Sequence, residues 1–336
     1  MLNMKKSVIS VIAALVSFTA SAQMLPDSTV QVCAYWHKGD KVTYRCTSKA
    51  SEIGADGIEN ITRTTSEKRI FEVTGETKKS YSLAVSYKDT EVSYAQGAMA
   101  ELLNNINEQF VIKLKTDEFG TVQEITNKKE VIATMSKVVP LAVKMIYDKL
   151  GEEALNQLGV SEEQMTDQLT HTFCNEQVAE TACMKDIMPI LMYHGARMGL
   201  NEKYSTKQQV PDSMGNGYIE ADLSFWVDKE ESDSAFVVLR SILTAGKDVF
   251  APRAREAARN NVIATFPPES QAGAFARIDE MIGAMDFSMV KSTVTIVHLD
   301  SGWPTYYKSE GHMKVTDEKG TKDTVNIEEF TLDDCE

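Results

Sequence analysis

Six of the 16 methionines stand in two runs of three at a spacing of four: Met184, Met188 and Met192, then Met281, Met285 and Met289. On a helix that spacing returns each side chain to one face. Methionine is unbranched and polarisable, so such a stripe suits a surface that adapts to variable apolar ligands, such as acyl chains or peptides. Ordinary core packing is the commoner use. Met184, Met188, Met192, Met281 and Met285, with Trp303, are the candidate ligand-binding residues. A copper(I) site joining these thioethers to Cys183 and His194 lacks a compact Met-x-Met cluster, and neither a metal nor a cofactor is expected.

The five histidines, His37, His171, His194, His298 and His312, fall in no catalytic or metal-binding signature. HExxH, GxSxG, the phosphate-binding glycine loop and GxGxxG are all absent. His298 and His312 flank a predicted hairpin and would approach each other across it. With a carboxylate beside them they would suit a hydrolase; solvent-facing strand histidines are the simpler reading. No catalytic residue is assigned, and a non-enzymatic role is favoured. The segment Asp317–Glu328 carries acids at the first, seventh and twelfth positions of a calcium loop but lacks its third and fifth ligands and its sixth-position glycine. It reads as an exposed hairpin connection.

Lys5 and Lys6 precede the apolar run Val8–Phe18 and the small residues Ala20-Ser21-Ala22. This pattern is a secretory signal, residues 1–22, too short to remain as a transmembrane anchor. The expected location is periplasmic or secreted, with no transmembrane segment in the mature chain. Losing two lysines and no acid leaves 33 Lys and Arg against 49 Asp and Glu, a net of −16. Such a charge argues against nucleic-acid binding and against docking on anionic membranes.

Five cysteines remain: Cys33, Cys46, Cys174, Cys183 and Cys335. An odd number in an oxidising compartment leaves one thiol free or paired between chains. Proximity suggests Cys33 with Cys46 and Cys174 with Cys183. The second pair needs a break in its helix, since nine helical residues separate Cα atoms by about 13 Å.

These residues need elements to position them. Between Val30 and Tyr94 the text alternates as strands do, most clearly at Tyr81, Leu83, Val85 and Tyr87. A short helix over 95–107 precedes a hairpin over 110–125 with its turn at Asp117–Gly120. Asn127 and Glu130 predict a capping box and a helix to about Leu150, ended or interrupted by Gly151. Ser161 and Gln164 predict a second box, with further helix over 179–198. Strands return over 203–210, 218–227 and 235–244. Helices over 248–265 and from Pro267-Pro268 to near Met285 lead into the hairpin 289–315, with its turn at Asp300-Ser301-Gly302, and a last strand over 324–332.

The fold class is therefore α+β: antiparallel β-meanders, as a curved sheet or half-barrel, with helices packed on one face and two halves of related element order. The domain reading is residues 23–200, a meander plus central helices, and 201–336, a second meander with two helices and a terminal hairpin. In layout, either half resembles the open half-barrel of the periplasmic lipoprotein-carrier family. That resemblance implies a concave sheet face under helices, enclosing an apolar cavity lined by the methionine stripes and by Phe110, Ile112, Leu114, Val294, Ile296 and Trp303. It implies an exported binding protein for an apolar or amphipathic ligand. The alternatives are an interaction module of the cell envelope that engages a partner protein, and a hydrolase. Asp27-Ser28-Thr29, Asp212-Ser213-Met214, Asp233-Ser234-Ala235 and Asp323-Thr324-Val325 resemble the O-glycosylation acceptor of Bacteroides-type secreted proteins.

Overall fold

The structure is a computed structural model and describes residues 27–93, 98–158, 161–211 and 218–335. Residues 1–22, where a secretory signal is expected, the tripeptide at 212–214 and the side chain of Cys335 lie outside what it describes. The N-terminal half contains β1 (Thr29–Gln31), β2 (Lys41–Ile53), β3 (Glu59–Thr77), β4 (Ser80–Val92), α1 (Ala98–Gln109), β5 (Val111–Asp117) and β6 (Val122–Ile125). Three helices follow, α2 (Lys128–Leu158), α3 (Glu162–Phe173) and α4 (Glu176–Leu191), then β7 (Arg197–Gly199). The C-terminal half contains β8 (Lys203–Pro211), β9 (Tyr218–Val227), β10 (Phe236–Gly246), α5 (Lys247–Thr265), α6 (Pro268–Ala284), β11 (Asp286–His298), β12 (Pro304–Asp317) and β13 (Gly320–Cys335).

Eleven strands form one antiparallel sheet in the order β6-β5-β4-β3-β2-β13-β12-β11-β10-β9-β8, while β1 and β7 pair separately. Each half runs as three strands, helical text and a hairpin, and the halves join where β13 pairs with β2. The period-two pattern survives in the packing. Leu83, Val85 and Tyr87 are buried on one face of β4, as Val42, Tyr44 and Cys46 are on β2 and Ile112 and Leu114 on β5.

The sheet is curved and unclosed, and one segment shows how strongly it curves. Ala34 N–H donates to the Phe119 carbonyl in the β5–β6 turn at 2.9 Å, and the next residue, Tyr35, donates to the Ser301 carbonyl in the β11–β12 turn at 3.5 Å. Five strand spacings separate β5 from β12, which would hold those turns about 24 Å apart in a flat sheet. Consecutive residues touch both, so the sheet wraps around the segment Val32–Trp36. Trp36 completes the closure by stacking on Trp303 with ring centroids 4.3 Å apart and packing against His194 at 5.1 Å.

Glycine is required at both turns. Gly120 has φ +93° and Gly302 φ +76°, and a Cβ at Gly302 would lie 2.1 Å from the Cys33 carbonyl oxygen. Asp117 organises the first turn, its Oδ1 accepting from Phe119 N and Thr121 N, each at 2.9 Å.

Several local expectations are corrected. Asn127 does not cap α2. Its Oδ1 accepts from Lys113 N at 2.8 Å and its Nδ2 donates to the Val111 carbonyl at 2.7 Å, so the side chain ties the helix start to β5. Gly151 does not end α2, which runs on to Leu158; an interior glycine costs only about 1 kcal/mol. The box at Ser161 and Gln164 is present, with both reciprocal bonds. The helix expected to reach Met198 stops at Leu191, because Gly195 at φ +81° turns the chain into β7. Neither expected cysteine pairing forms. Cys46 and Cys183 are buried thiols of one core cluster, and no disulfide exists among the described residues. Cys174 does sit at the break between α3 and α4, but Cys183 faces inward from α4 while Cys174 is half-exposed.

The Gly302 contact gives a controlled comparison. Gly57 shares its φ of +76°, but a Cβ added there would meet nothing within 4 Å. In urea unfolding, Gly57→Ala should cost about 1 kcal/mol from backbone strain alone. Gly302→Ala should cost at least about 2 kcal/mol more, the range for overpacking against immobile atoms. Equal costs would mean that the Cys33–Ala34 segment yields, and that it does not hold the sheet's curvature.

Candidate functional site

Three buried clusters lie on the inner face of the sheet. The first joins α4, through Ala179, Cys183, Ile187 and Leu191, to Tyr44, Phe71, Leu83, Val85 and Trp303. The second gathers Val30, Tyr193 and Met198 against Val237, Leu239 and Val297. The third joins α5 and α6, through Phe250, Ile278 and Ile282, to Ile219, Ala221, Leu243 and Phe287. Between the first and third the face is not filled, and a cavity of about 1320 Å³ remains. Protein interiors pack to the density of organic crystals, so this volume is far beyond a packing defect.

The roof is α4, which contributes Lys185, Met188 and Pro189, with Met192 just beyond its end. The floor can be read row by row from the strand register. One row carries hydroxyls: Ser241 pairs with Thr293, Thr293 with Ser309, and Ser309 with Glu328. The next runs Leu223, Leu243, Lys291, Gly311 and Asn326. A third runs Ala245, Met289, Met313, Thr324 and Glu52, with Asn60 opposite Glu52 on β3. Val210, Ile219 and Val315 continue the apolar end. The lining is thus amphipathic: hydroxyls from Ser241 to Ser309 on one row, thioethers and branched aliphatics on β8 to β12 beyond it, and polar groups such as Glu52, His312, Lys322 and Asp323 where the rows pass onto β12, β13 and β2.

One buried ion cluster fixes the roof to the floor. Arg69 on β3 donates from one terminal nitrogen to the Asp186 carbonyl on α4 at 2.7 Å and from the other to Glu67 at 2.5 Å. The Asp186 carboxylate lies 3.4 Å from the same guanidinium and accepts from the Tyr87 hydroxyl at 2.7 Å. The guanidinium also lies 4.9 Å from the Phe330 ring centroid and 5.5 Å from that of Tyr87. Burial alone would lower the Arg69 pKa, but Asp186, with Cys46, Tyr87 and Glu67, holds it above its ordinary value. Burial raises the Cys46 thiol to about 12 and the Cys183 thiol to about 11, so neither is a thiolate at neutral pH.

The sequence candidates scatter. Met188 and Met192 line the cavity, together with Met289. Met184 packs against the first cluster and Met285 against the third. Met281 is 51% exposed. The spacing 281, 285, 289 makes no stripe, because α6 ends at Ala284, Met285 is extended and Met289 belongs to β11. Trp303 is core, stacked on Trp36, and Ile112 and Leu114 are core as well. Phe110 packs on the same cluster. Val294 and Ile296 point to the opposite face of β11 from Thr293, by the alternation of the strand.

The histidines do not assemble. His298 pairs with Phe236, and His312 pairs with Val290, eight residues back along β11, or about 26 Å. His298 contacts Ser301 Oγ at 3.0 Å. His312 lies between Asp323 at 2.8 Å and Glu310 at 3.2 Å, and the Asp323 bond, ahead of Glu310, raises its pKa. His194, in the Trp36 cluster, is lowered to about 4 by burial. Backbone groups of Gly302 and Leu191 approach its ring, yet neither ring nitrogen reaches hydrogen-bond geometry, so the ring is neutral. Among the described residues, no three His, Cys, Asp or Glu side chains are placed to hold a metal, and no helix is long and apolar enough to cross a membrane.

No protein-family model and no curated protein matches this chain. Among solved structures, a lipovitellin chain, described under lipid-protein interactions in lipovitellin, is similar with a TM-score of 0.40 and 10% identity. The match covers 89% of this chain and 26% of that one, so this chain spans about a quarter of its length. At that distance the likeness carries no functional argument.

Two measurements follow from the buried groups. Because the His194 pKa is lowered from 6.5 to about 4, its contribution to stability is complete above pH 6.5 and is lost as pH falls through about 4. The loss approaches about 3 kcal/mol at 1.36 kcal/mol per unit. His312 shifts the opposite way, so the difference between the pH–stability curves of the wild type and His194→Phe isolates the His194 contribution. Parallel curves would refute a neutral, dry His194. Arg69→Met leaves Asp186 and Glu67 uncompensated and should cost about 3–5 kcal/mol in urea unfolding, part of it recovered by adding Asp186→Asn. A loss under about 1 kcal/mol would remove Arg69 as the link between α4 and the sheet.

Proposed function

We propose that this chain is an exported binding protein whose cavity takes an apolar or amphipathic ligand. The cavity itself carries the reading. Its 1320 Å³ exceed what one small metabolite fills, and its lining sets Met188, Met192, Met289 and Met313, from three different parts of the fold, beside Leu223 and Leu243. Thioethers from a helix and two strands can re-pack around chains of differing length, whereas branched side chains would impose one shape. The polar groups interspersed with them, among them the Ser241, Thr293 and Ser309 hydroxyls, can orient such a ligand.

Export rests on the secretory pattern of residues 1–22, and a periplasmic or extracellular site is part of the proposal. A binding protein that meets lipid or amphipathic peptide outside the cytoplasm must hold it away from water, and a concave sheet roofed by a helix does so. A role in engaging an envelope protein has support of its own in the two sheet edges, β6 and β8, which offer unpaired backbone groups for strand addition.

Native mass spectrometry of the mature protein, before and after solvent extraction, tests the reading. A reproducible apolar adduct is expected, and Met192→Trp, which fills the roof side of the cavity, should lower its occupancy several-fold with an unchanged circular dichroism spectrum. An unadducted wild-type protein that also fails to take up added single-chain lipids would sink the binding reading and leave the sheet edges as the functional surface.

A further inference from the structure

We infer that the ligand is a single-chain amphiphile with an anionic head, and that Lys291 holds that head; this deepens the cavity reading and rests on it. Lys291 stands mid-strand on β11, half-buried, between Leu243 on β10 and Gly311 on β12. Gly311 presents no side chain to it, and a Cβ built there would be in van der Waals contact with Lys291 Cγ at 3.9 Å and the Asn326 carbonyl oxygen at 3.8 Å, so the lysine stem lies against the glycine while the residue lines the cavity. Lysines of the neighbouring strand are paired, Lys308 with Glu310 at 3.3 Å and Lys314 with Asp323 at 3.9 Å. Lys291 has no carboxylate partner among the described residues. A half-buried ammonium without a counter-ion is electrostatically incomplete, and an anion entering the cavity would complete it.

The rows on either side of Lys291 give the ligand a direction. On one side lie the buried hydroxyls of Ser241, Thr293 and Ser309, able to donate to the oxygens of a carboxylate or phosphate. On the other lie Met289 and Met313, which lead toward Ile219 and the third cluster. Head and tail therefore align along the strands. A competing anchor is Glu328, on the hydroxyl row and also without an ion-pair partner among the described residues. It lines the same cavity but stands at the far end of the hydroxyl row, beside the buried Ser309 and Tyr307 and away from the methionines, whereas Lys291 lies between the hydroxyl and methionine rows.

Calorimetric titration of the mature protein at neutral pH with palmitate, hexadecanol and hexadecyltrimethylammonium decides the matter. Palmitate should bind at least about tenfold more tightly than hexadecanol, the effect of one charge-assisted contact. Lys291→Met should bring palmitate down to the affinity of hexadecanol and leave hexadecanol unchanged, while Lys291→Arg restores the preference. Near-ultraviolet circular dichroism of each variant confirms its packing. Equal binding of palmitate and hexadecanol, unaffected by Lys291→Met, would overturn the anionic head and leave the cavity reading standing. A preference for hexadecyltrimethylammonium that Glu328→Gln removes would reverse the sign of the head. Failure of all three to bind would overturn the cavity reading itself, and the inference with it.

Discussion

The curvature of the sheet depends on a contact between neighbouring residues. Ala34 and Tyr35 each donate one backbone hydrogen bond, to hairpin turns that belong to opposite halves of the molecule. The same segment reaches the corner after α4, where Gly195 N–H donates to the Val32 carbonyl at 2.8 Å and Val32 donates back to Ala196 at 3.2 Å. Three regions remote in sequence thus share one strip of backbone. Each needs a glycine or a buried aromatic to meet it: Gly120, Gly302 and Gly195 at the turns, Trp36, Trp303 and His194 beneath them. Backbone groups buried at such a junction must be paired, which makes the geometry mutually exclusive with a flatter sheet.

Curvature alone would collapse onto its own side chains, and the position of α4 decides where it does not. Arg69 holds the helix by its middle, at Asp186, so that Cys183 and Ile187 fill the space over β2 to β5 while Met188 and Met192 overhang the β8 to β13 side. Burying that guanidinium is costly, and Asp186, Glu67, Tyr87 and Phe330 together offset the cost through charge, hydrogen bonds and ring faces. A hydrophobic side chain at residue 69 could pack the core as well. It would not set the helix at one height along the sheet, and the height of the helix is the height of the cavity roof.

Period-two text reveals the strands, both hairpins and the antiparallel meanders, because half-buried strands carry their pattern locally. The cavity floor misleads for the opposite reason. In Met289–Val297 the most apolar alternate set contains Val294 and Ile296, and hydrophobicity assigns that set inward. The structure turns Met289, Lys291, Thr293 and Thr295 inward, since the register with β10 and β12 and not local hydrophobicity sets the face, and the middle of a wide sheet can shelter branched side chains on its outer face, as with Ile296 beside Val238. Met188 and Met192 are legible as one helix face, but Met184 on the same stripe turns to the core. Arg69 leaves no signal at all. A single arginine in RIFEV reads as solvent-facing until α4 is placed above it.

The cavity straddles the seam where the two halves meet. Its hydroxyl and methionine rows run from β10 through β13 and end on β2 and β3, at Ser48, Glu52 and Asn60. Neither half contains the site alone. The seam is held by backbone bonds from Cys335–Val42 to Asp323–Ile53, with register shifts at Leu332/Asp334 along it and at Ala50/Ser51 beside it. Such bulges add twist where they occur, and they lie near the two ends of the seam, with an unbroken ladder from Asp323–Ile53 to Leu332–Tyr44 along it. A closed barrel would have a fixed circumference. The open sheet, with edges at β6 and β8, instead has its curvature set by the Val32–Trp36 segment, and the cavity, whose walls come from both sides of the seam, takes its volume from that curvature. The methionines are therefore the adaptable part of the cavity and the bonded sheet its fixed part, so a change in the cavity's shape falls to thioether side chains rather than to the backbone.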